Sequence, residues 1–250
     1  MISLPHPTTK EQHTVNGNYT PVRTFIHQEI INTYFTKNPQ IDSESNAILL
    51  GGGSGSGKGS VKEMFKEGFQ EQQIDFIYID ADEIKELIPE YKIYKKQHPY
   101  HAAALVHDES SDISDYILKQ CIIEKRNFLY DGTMKNEGKY KNIINELRKQ
   151  NYHIIAAIAD VPVDIAKARA HIRYLKEKRY VSNDIIEESN KKAVETFANI
   201  KHLFDEYLIY DNSQDGELNL ISEFDEEIGE ITYDAEKVAI FYQKAGMKVN

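Results

Sequence analysis

The chain of 250 residues has room for one large domain or two small ones, and its 40% of hydrophobic residues can fill a sizeable core. No run of about 18 apolar residues is available to cross a membrane. The polar stretch from Met1 to Thr20 lacks the apolar segment of a secretory signal, and the single cysteine, Cys121, cannot form an internal disulfide, so a cytoplasmic protein without a membrane partner is expected. The net charge of −10 argues against a nucleic-acid partner, because phosphate backbones require a basic face. The charge is uneven, however. His202 to Glu236 contains twelve acidic residues and no Lys or Arg, which leaves 28 acids against 30 bases elsewhere.

In chain order, residues 1–19 are polar and read as a poorly ordered tail. Residues 22–36 carry apolar positions at helical spacing and predict a first helix. Ala47 to Leu50 is a short apolar strand that opens into a glycine-rich loop. Val61, Met64, Phe65 and Phe69 then recur at helical spacing. Further strands are predicted at 76–79, 128–130, 154–159 and 207–210, and further helices at 108–125, 137–150, 163–178 and 184–203. Asp160 is a candidate N-cap with Pro162 near the first turn.

Continuous apolar strands alternating with helices predict an α/β fold of three layers, a mostly parallel central sheet flanked by helices. The predicted domain spans 20–212. Residues 213–250 form an acidic C-terminal extension with a last helix at 235–245, packed on the same domain. Ligands of such sheets bind at the carboxyl ends of the strands, and the candidate functional residues lie there or in the helices that follow.

Gly52-Gly53-Ser54-Gly55-Ser56-Gly57-Lys58 fits the pattern G-x-x-x-x-G-K. Glycines let the backbone approach an anion closely, and successive N–H groups with a helix N-terminus behind them cradle phosphates. Lys58 would reach the β and γ oxygens of a nucleoside triphosphate as a point charge. A Gly/Ser linker is the alternative, but linkers are not usually placed between a buried strand and an amphipathic helix. The position after the lysine, normally Ser or Thr to ligate Mg²⁺, is Gly59. Ser60 or a water is left for that role, or the metal is held weakly.

Asp80 and Asp82 follow the second of these strands. A carboxylate here can take the proton of an attacking hydroxyl, and Asp82 is the first candidate for that base. Asp80 is a candidate for the metal's surroundings, and either residue can instead cap the following helix. Asp131 ends the third strand, where it can hold a metal-bound water, orient Thr133 or simply form an Asp-Gly turn.

Arg169 and Arg173, four apart, share a helix face, and the stripe Ile165, Ala168, Ile172, Leu175 is expected to face the core beside them. Only six arginines stand against 24 lysines, and three of the six, Arg169, Arg173 and Arg179, fall within eleven residues. A merely solvated helix face would be built from lysine, so the bias favours stabilisation of transferring phosphate oxygens. His98, His101 and His107 lack metal-ligand spacing and read as surface or cleft-lining residues. Tyr91 to Tyr100 either flanks a nucleotide pocket or is a solvated loop.

With these residues in place the chain resembles the zeta toxin family of P-loop kinases. The resemblance covers roughly residues 20–212. It rests on AILLGGGSGSGKGS, YIDADEIK, HPY at 98–100, HDESSDISDYI, FLYDGT, HIRYLKEKRYVSNDII and LFDEYLIYDNS in that order. It implies an ATP- and Mg²⁺-dependent kinase acting on a hydroxyl of a nucleotide sugar such as UDP-N-acetylglucosamine, and a small antitoxin protein as partner. By position, Lys58 matches the family's loop lysine, Asp82 its catalytic aspartate and Thr133 a substrate-contacting threonine. Arg173 and Arg179 match arginines that contact ATP and the moving phosphate. Asp115 stands where the family's prototype has a substrate-binding glutamate. The family also includes kinases of other nucleotides. A degenerate nucleotide-binding module that acts through a partner is the non-enzymatic alternative.

Overall fold

The computed structural model describes residues 4–36, 45–177, 181–214 and 216–247. A short helix α1 (Thr9–His13) and a hairpin of β1 (Thr14–Val15) and β2 (Asn18–Tyr19) lead into α2 (Pro21–Tyr34). The body follows as β3 (Ser45–Gly51), α3 (Lys58–Glu71) and β4 (Ile77–Asp80), then three helices, α4 (Ala81–Leu87), α5 (Pro89–Gln97) and α6 (Ala102–Leu105). Next come α7 (His107–Glu124), β5 (Phe128–Asp131), α8 (Glu137–Lys149), β6 (Tyr152–Asp160), α9 (Val163–Glu177), α10 (Asn183–Ile200) and β7 (Glu206–Asp211). An antiparallel pair, β8 (Asn219–Asp225) and β9 (Gly229–Thr232), precedes the last helix, α11 (Ala235–Gln243). Among the described residues no helix is long and apolar enough to cross a membrane.

The main sheet runs β4-β5-β3-β6-β7-β8-β9. Its first five strands are parallel; β8 is added antiparallel to β7, and β9 antiparallel to β8. This is the expected α/β class. In β3 the side-chain period of two divides the core: Ala47 and Leu49 join the large cluster under the main helical layer, and Ile48 and Leu50 join the smaller cluster under α3. Both sets are at most 1% exposed, which explains why the strand reads as an unbroken apolar run. From β3 the chain winds to one side of the sheet, and from β6 to the other. The reversal leaves a crevice at the carboxyl ends of these neighbouring strands.

Five expectations are corrected. Residues 4–19 are structured, although they contain few apolar side chains. Thr8 and Glu11 form a capping box, Thr9 is buried, and Lys10 Nζ and the Tyr19 hydroxyl both meet Asp112 at 2.7 Å. The Tyr91–Tyr100 stretch is mostly helix α5, with Pro89 at its start and Tyr94 buried. The acidic extension contains the β8–β9 hairpin at the end of the sheet; half-exposed strands carry polar residues on one face and so show no unbroken apolar run. On α9 the inward face is Ala166 and Ala170, whereas Ile172 and Leu175 are 52% and 56% exposed. Close approach of a glycine loop requires small residues, so the larger apolar side chains are turned out.

Asp160 likewise does not cap α9. The Pro162 carbonyl accepts the Ala166 amide at 3.1 Å, and Asp160 pairs with Lys244 at 2.6 Å. Helix α2 also buries an unexpected face, with Arg23, His27, Ile30 and Ile31 inside and Phe25 exposed. The Arg23 guanidinium bridges Glu90 (2.8 Å, twice) and Glu109 (2.8 Å), and His27 Nε2 lies 2.6 Å from Glu109. This network ties α2 to α5 and α7. Burial would raise the Glu109 pKa, but His27 and Arg23 override it and hold the carboxyl at about 2.

Arg23→Met would strand a buried carboxylate and is expected to cost about 3–5 kcal/mol in urea unfolding. The folded pKa of Glu109 lies below its ordinary 4.5, so its contribution is full above that value and is lost as pH falls toward 2. Thermal melts across this window should show a steeper acid loss in the wild type than in Glu109→Gln.

Candidate active site

The loop 52–57 leaves the end of β3 and enters α3 at Lys58. Gly57 takes φ +82° as the residue before the helix, and a side chain there would overlap the Asn212 amide. Gly55 takes φ +80° against the Ala166 carbonyl of α9. Helix α10 grips the loop at Ser54 from both sides: the Ser54 amide donates to Ser189 Oγ at 3.0 Å, and Asn190 Nδ2 donates to the Ser54 carbonyl at 3.1 Å. Asn212, buried just past β7, donates to the Gly57 carbonyl (3.2 Å) and to Ser60 Oγ (3.4 Å).

The loop is therefore preformed by its neighbours, and a glycine loop of this form at a helix start can cradle an anion. Ser56 Oγ is fully buried there with no hydrogen-bond partner among the described residues, a donor matched to a phosphate oxygen. Lys58 Nζ donates to the Gly52 carbonyl at 3.1 Å, folded over the same cradle. Gly59 is exposed, and a Cβ added to it would meet nothing within 4 Å.

Parallel register brings the strand-end carboxylates together, with Asp80 paired to Asp131 and Asp160 to Asp211. Asp80 caps α4 by accepting the Asp82 amide at 2.8 Å, and its other oxygen meets Lys62 Nζ at 3.2 Å. Asp82 stands in the first turn of α4, its side chain 44% exposed, with Lys85 Nζ 2.6 Å from Oδ1. Asp131 lies between these groups and the loop. Burial, helped by Asp80 and Asp82 and opposed by Lys58 and Lys62, pushes its pKa up to about 6. One carboxylate thus senses the loop lysine and the candidate base together.

Tyr140 holds the turn after Asp131, its hydroxyl accepting the Met134 amide at 3.2 Å, and Thr133 is partly exposed there. Asp115, on α7, is bridged by Lys139 at 2.8 Å. Lys139 also lies over the Tyr130 ring one residue before Asp131. On α9, Arg169 lies against the loop, its Nη1 3.3 Å from where a Gly57 Cβ would be. Arg173 follows one turn later, next to Tyr174, whose ring is 6.2 Å from that of Tyr100 across the connection to α6. Arg179 lies outside the described residues. Sequence reasoning singled out neither Asn212, Ser189 and Asn190, which hold the loop, nor Lys62 and Lys85, which hold the acids. Asn212 and Lys85 do fall inside the quoted blocks LFDEYLIYDNS and YIDADEIK.

A preformed glycine loop at the end of the central strand, with carboxylates and Arg169 along the same edge, has the arrangement of the working end of a P-loop kinase fold. The chain belongs to the zeta toxin family, a family of kinase-like phosphotransferases whose model matches residues 31–222. A chain of the PezAT chromosomal toxin–antitoxin system of Streptococcus pneumoniae is similar in fold. It is 18% identical with a TM-score of 0.68, over 88% of this chain and 86% of that one. A chain of the AvrRxo1-ORF1:-ORF2 complex with ATP is similar with 12% identity and a TM-score of 0.71, over 98% and 84%. A calmodulin calcium-dependent NAD kinase of Arabidopsis thaliana is 33% identical over 116 residues, 43% of this chain. The matched region is 22% of that relative's length.

The two glycines around Lys58 should respond in opposite ways. Gly57→Ala forces a side chain into Asn212 at positive φ and is expected to abolish ADP binding in calorimetry. Gly59→Ser has open space, should leave ADP affinity within a few-fold and should raise helix stability by a few tenths of a kcal/mol.

Proposed function

We propose that this chain is an ATP-dependent kinase that transfers the γ-phosphate to a hydroxyl of a nucleotide-containing metabolite. The observation that carries the reading is the position of Asp131, within electrostatic reach of Lys58 on the phosphate side and of Asp82 on the acceptor side. A cradle, a base and a route between them are the minimum for in-line phosphoryl transfer.

In the proposed reaction the loop amides and Lys58 hold the β- and γ-phosphates. Asp82 takes the acceptor's hydroxyl proton, the acceptor oxygen bonds to the γ-phosphorus, and the bond to the bridging oxygen breaks to release ADP. Arg169, Arg173 and Arg179 balance charge on the phosphate oxygens. Ser60 and Asp80 are the residues to hold Mg²⁺, which would neutralise the β and γ oxygens when bound. Ser60 Oγ sits beside the loop as an acceptor from Asn212, which suits that role. Thr133, Asp131 and Asp115 are assigned to the acceptor.

UDP-N-acetylglucosamine is the first acceptor to test, as the family resemblance implies. The NAD kinase relative favours a second, the ribose hydroxyl of a nicotinamide dinucleotide. Tyr100, exposed and with its ring 6.2 Å from that of Tyr174 on α9, is an aromatic side chain suited to stacking on either base. The toxin–antitoxin origin of the similar solved structures supports a small protein partner that holds the kinase inactive. Gly59 favours the non-enzymatic alternative only if metal-dependent turnover is missing.

The test incubates the protein with ATP and either UDP-N-acetylglucosamine or NAD, following ADP release and the mass of one added phosphate on the acceptor. Turnover with one acceptor is expected, lowered at least about 100-fold by Lys58→Ala and by Asp82→Asn. No turnover on these two acceptors but turnover with another nucleotide would remove only the acceptor; ADP binding with no metal-dependent transfer to any of a panel of nucleotides, across a Mg²⁺ titration, would overturn the kinase reading in favour of a binding module.

A further inference from the structure

We propose that Lys244 is a positioning residue for the phosphate loop: from the end of α11 it holds the edge formed by β6 and β7 in the geometry that binds a nucleotide. The acidic C-terminal extension is then a working part of the nucleotide site. The inference rests only on the reading of loop 52–57 as that site, and it applies to a kinase and to a binding module alike. Lys244 Nζ donates to both carboxylate oxygens of Asp160, one of them at 2.6 Å, and to the Val161 carbonyl. Its side chain is 8% exposed and that of Asp160 10%. An exposed pair contributes little, whereas a desolvated ammonium with three acceptors fixes the groups around it, because loss of the ammonium leaves a buried charge uncompensated.

Three routes run from this contact to the loop. Asp160 ends β6, and the Ala159 carbonyl before it lies 2.5 Å from where a Gly52 Cβ would be. The Asp160 carbonyl accepts the Asn212 amide at 2.9 Å, and the Asn212 side chain donates to the Gly57 carbonyl and to Ser60 Oγ. Val161 begins the connection into α9, whose Ala166 and Arg169 lie against Gly55 and Gly57.

The second carboxylate of this edge is held from the same segment. Asp211, the register partner of Asp160, meets Lys237 Nζ at 2.6 Å and accepts the amide and hydroxyl of Ser213. Neighbouring carboxylates of low exposure repel each other unless each has a cation, and α11 with the residue after it supplies both. The segment is anchored away from the edge. Phe241 is buried, with its ring 5.9 Å from that of Phe197 on α10, the helix whose Ser189 and Asn190 hold Ser54. Removing the Lys244 charge leaves Asp160 beside Asp211 with no direct cation among the described residues. The edge must then open, and Asn212 moves with it.

The test measures ADP binding by calorimetry, the KM for ATP where an acceptor turns over, and the melting temperature of each variant. Lys244→Met is expected to weaken ADP binding and to raise the KM for ATP about 10-fold. With ATP saturating, kcat should stay within about threefold, since what is lost is binding common to ground and transition states. Lys244→Arg keeps the charge and the donors and should recover most of the affinity. Arg148→Met is the control: it breaks the pair with Asp205 (2.6 and 2.8 Å), which accepts the Ile154 amide at the far end of β6. It should lower the melting temperature and leave ADP affinity unchanged. If Lys244→Met does not fold, Lys244→Gln gives the same comparison, since it removes the charge and keeps a donor. ADP affinity within about twofold of the wild type in the charge-removing variant would overturn the proposal, whatever the melting temperature. An equal loss of affinity in Arg148→Met would also overturn it, by tracing the effect to general destabilisation. A wild-type protein that binds no ADP would instead overturn the nucleotide site, and the Lys244 proposal with it.

Discussion

A parallel sheet delivers the carboxyl end of every strand to one edge, and here four of those five ends are aspartates. Asp80, Asp131, Asp160 and Asp211 would repel one another and resist burial if they stood alone. Each is met by a lysine instead: Asp80 by Lys62, Asp160 by Lys244, Asp211 by Lys237, and Asp131 by the field of Lys58. The rest of the structure follows from this balancing. Two of the lysines come from α3, the helix the phosphate loop opens. The other two lie on or just past α11, so the acidic C-terminal extension is drawn to the site edge by its few cations.

The glycine loop depends on the same edge. A chain with so many positive-φ glycines is costly to order, and it is ordered by contacts from three separate directions. Ala166 of α9, Ser189 and Asn190 of α10, and Asn212 after β7 close around it. Arg169 arrives with α9 because the small-residue face of that helix is what can approach the loop. Packing and charge placement are one event here: the helix that must come close for steric reasons also carries the arginines.

Much of the fold was legible because the central strands are buried on both faces. An unbroken apolar run such as Ala47–Leu50, followed by glycines and an amphipathic helix, has few other readings. What escaped was held by polar contacts. The capping box at Thr8, the Arg23–Glu90–Glu109–His27 network and the acid-rich β8–β9 hairpin have no apolar periodicity to detect. The stripe on α9 misled because helical spacing shows which residues share a face and leaves open which face turns inward. At the candidate site, the loop and Asp82 could be singled out by motif. The residues that hold them, Asn212, Asn190 and Lys85, act through single contacts that no spacing announces.

By itself the sequence determined the class of the fold, the order of strand, phosphate loop and helix, and membership of a family of phosphate-transferring enzymes. Local propensity and motif spacing are short-range properties, and all of these are written at short range. Only the tertiary structure decided which charges meet. Lys244 reaches Asp160 across 84 positions, Asn212 reaches Gly57 across 155, and Arg23 reaches Glu109 across 86. Contacts of that range are set by how the layers pack, since ion pairing and desolvation depend on distance and burial, which a linear pattern does not contain.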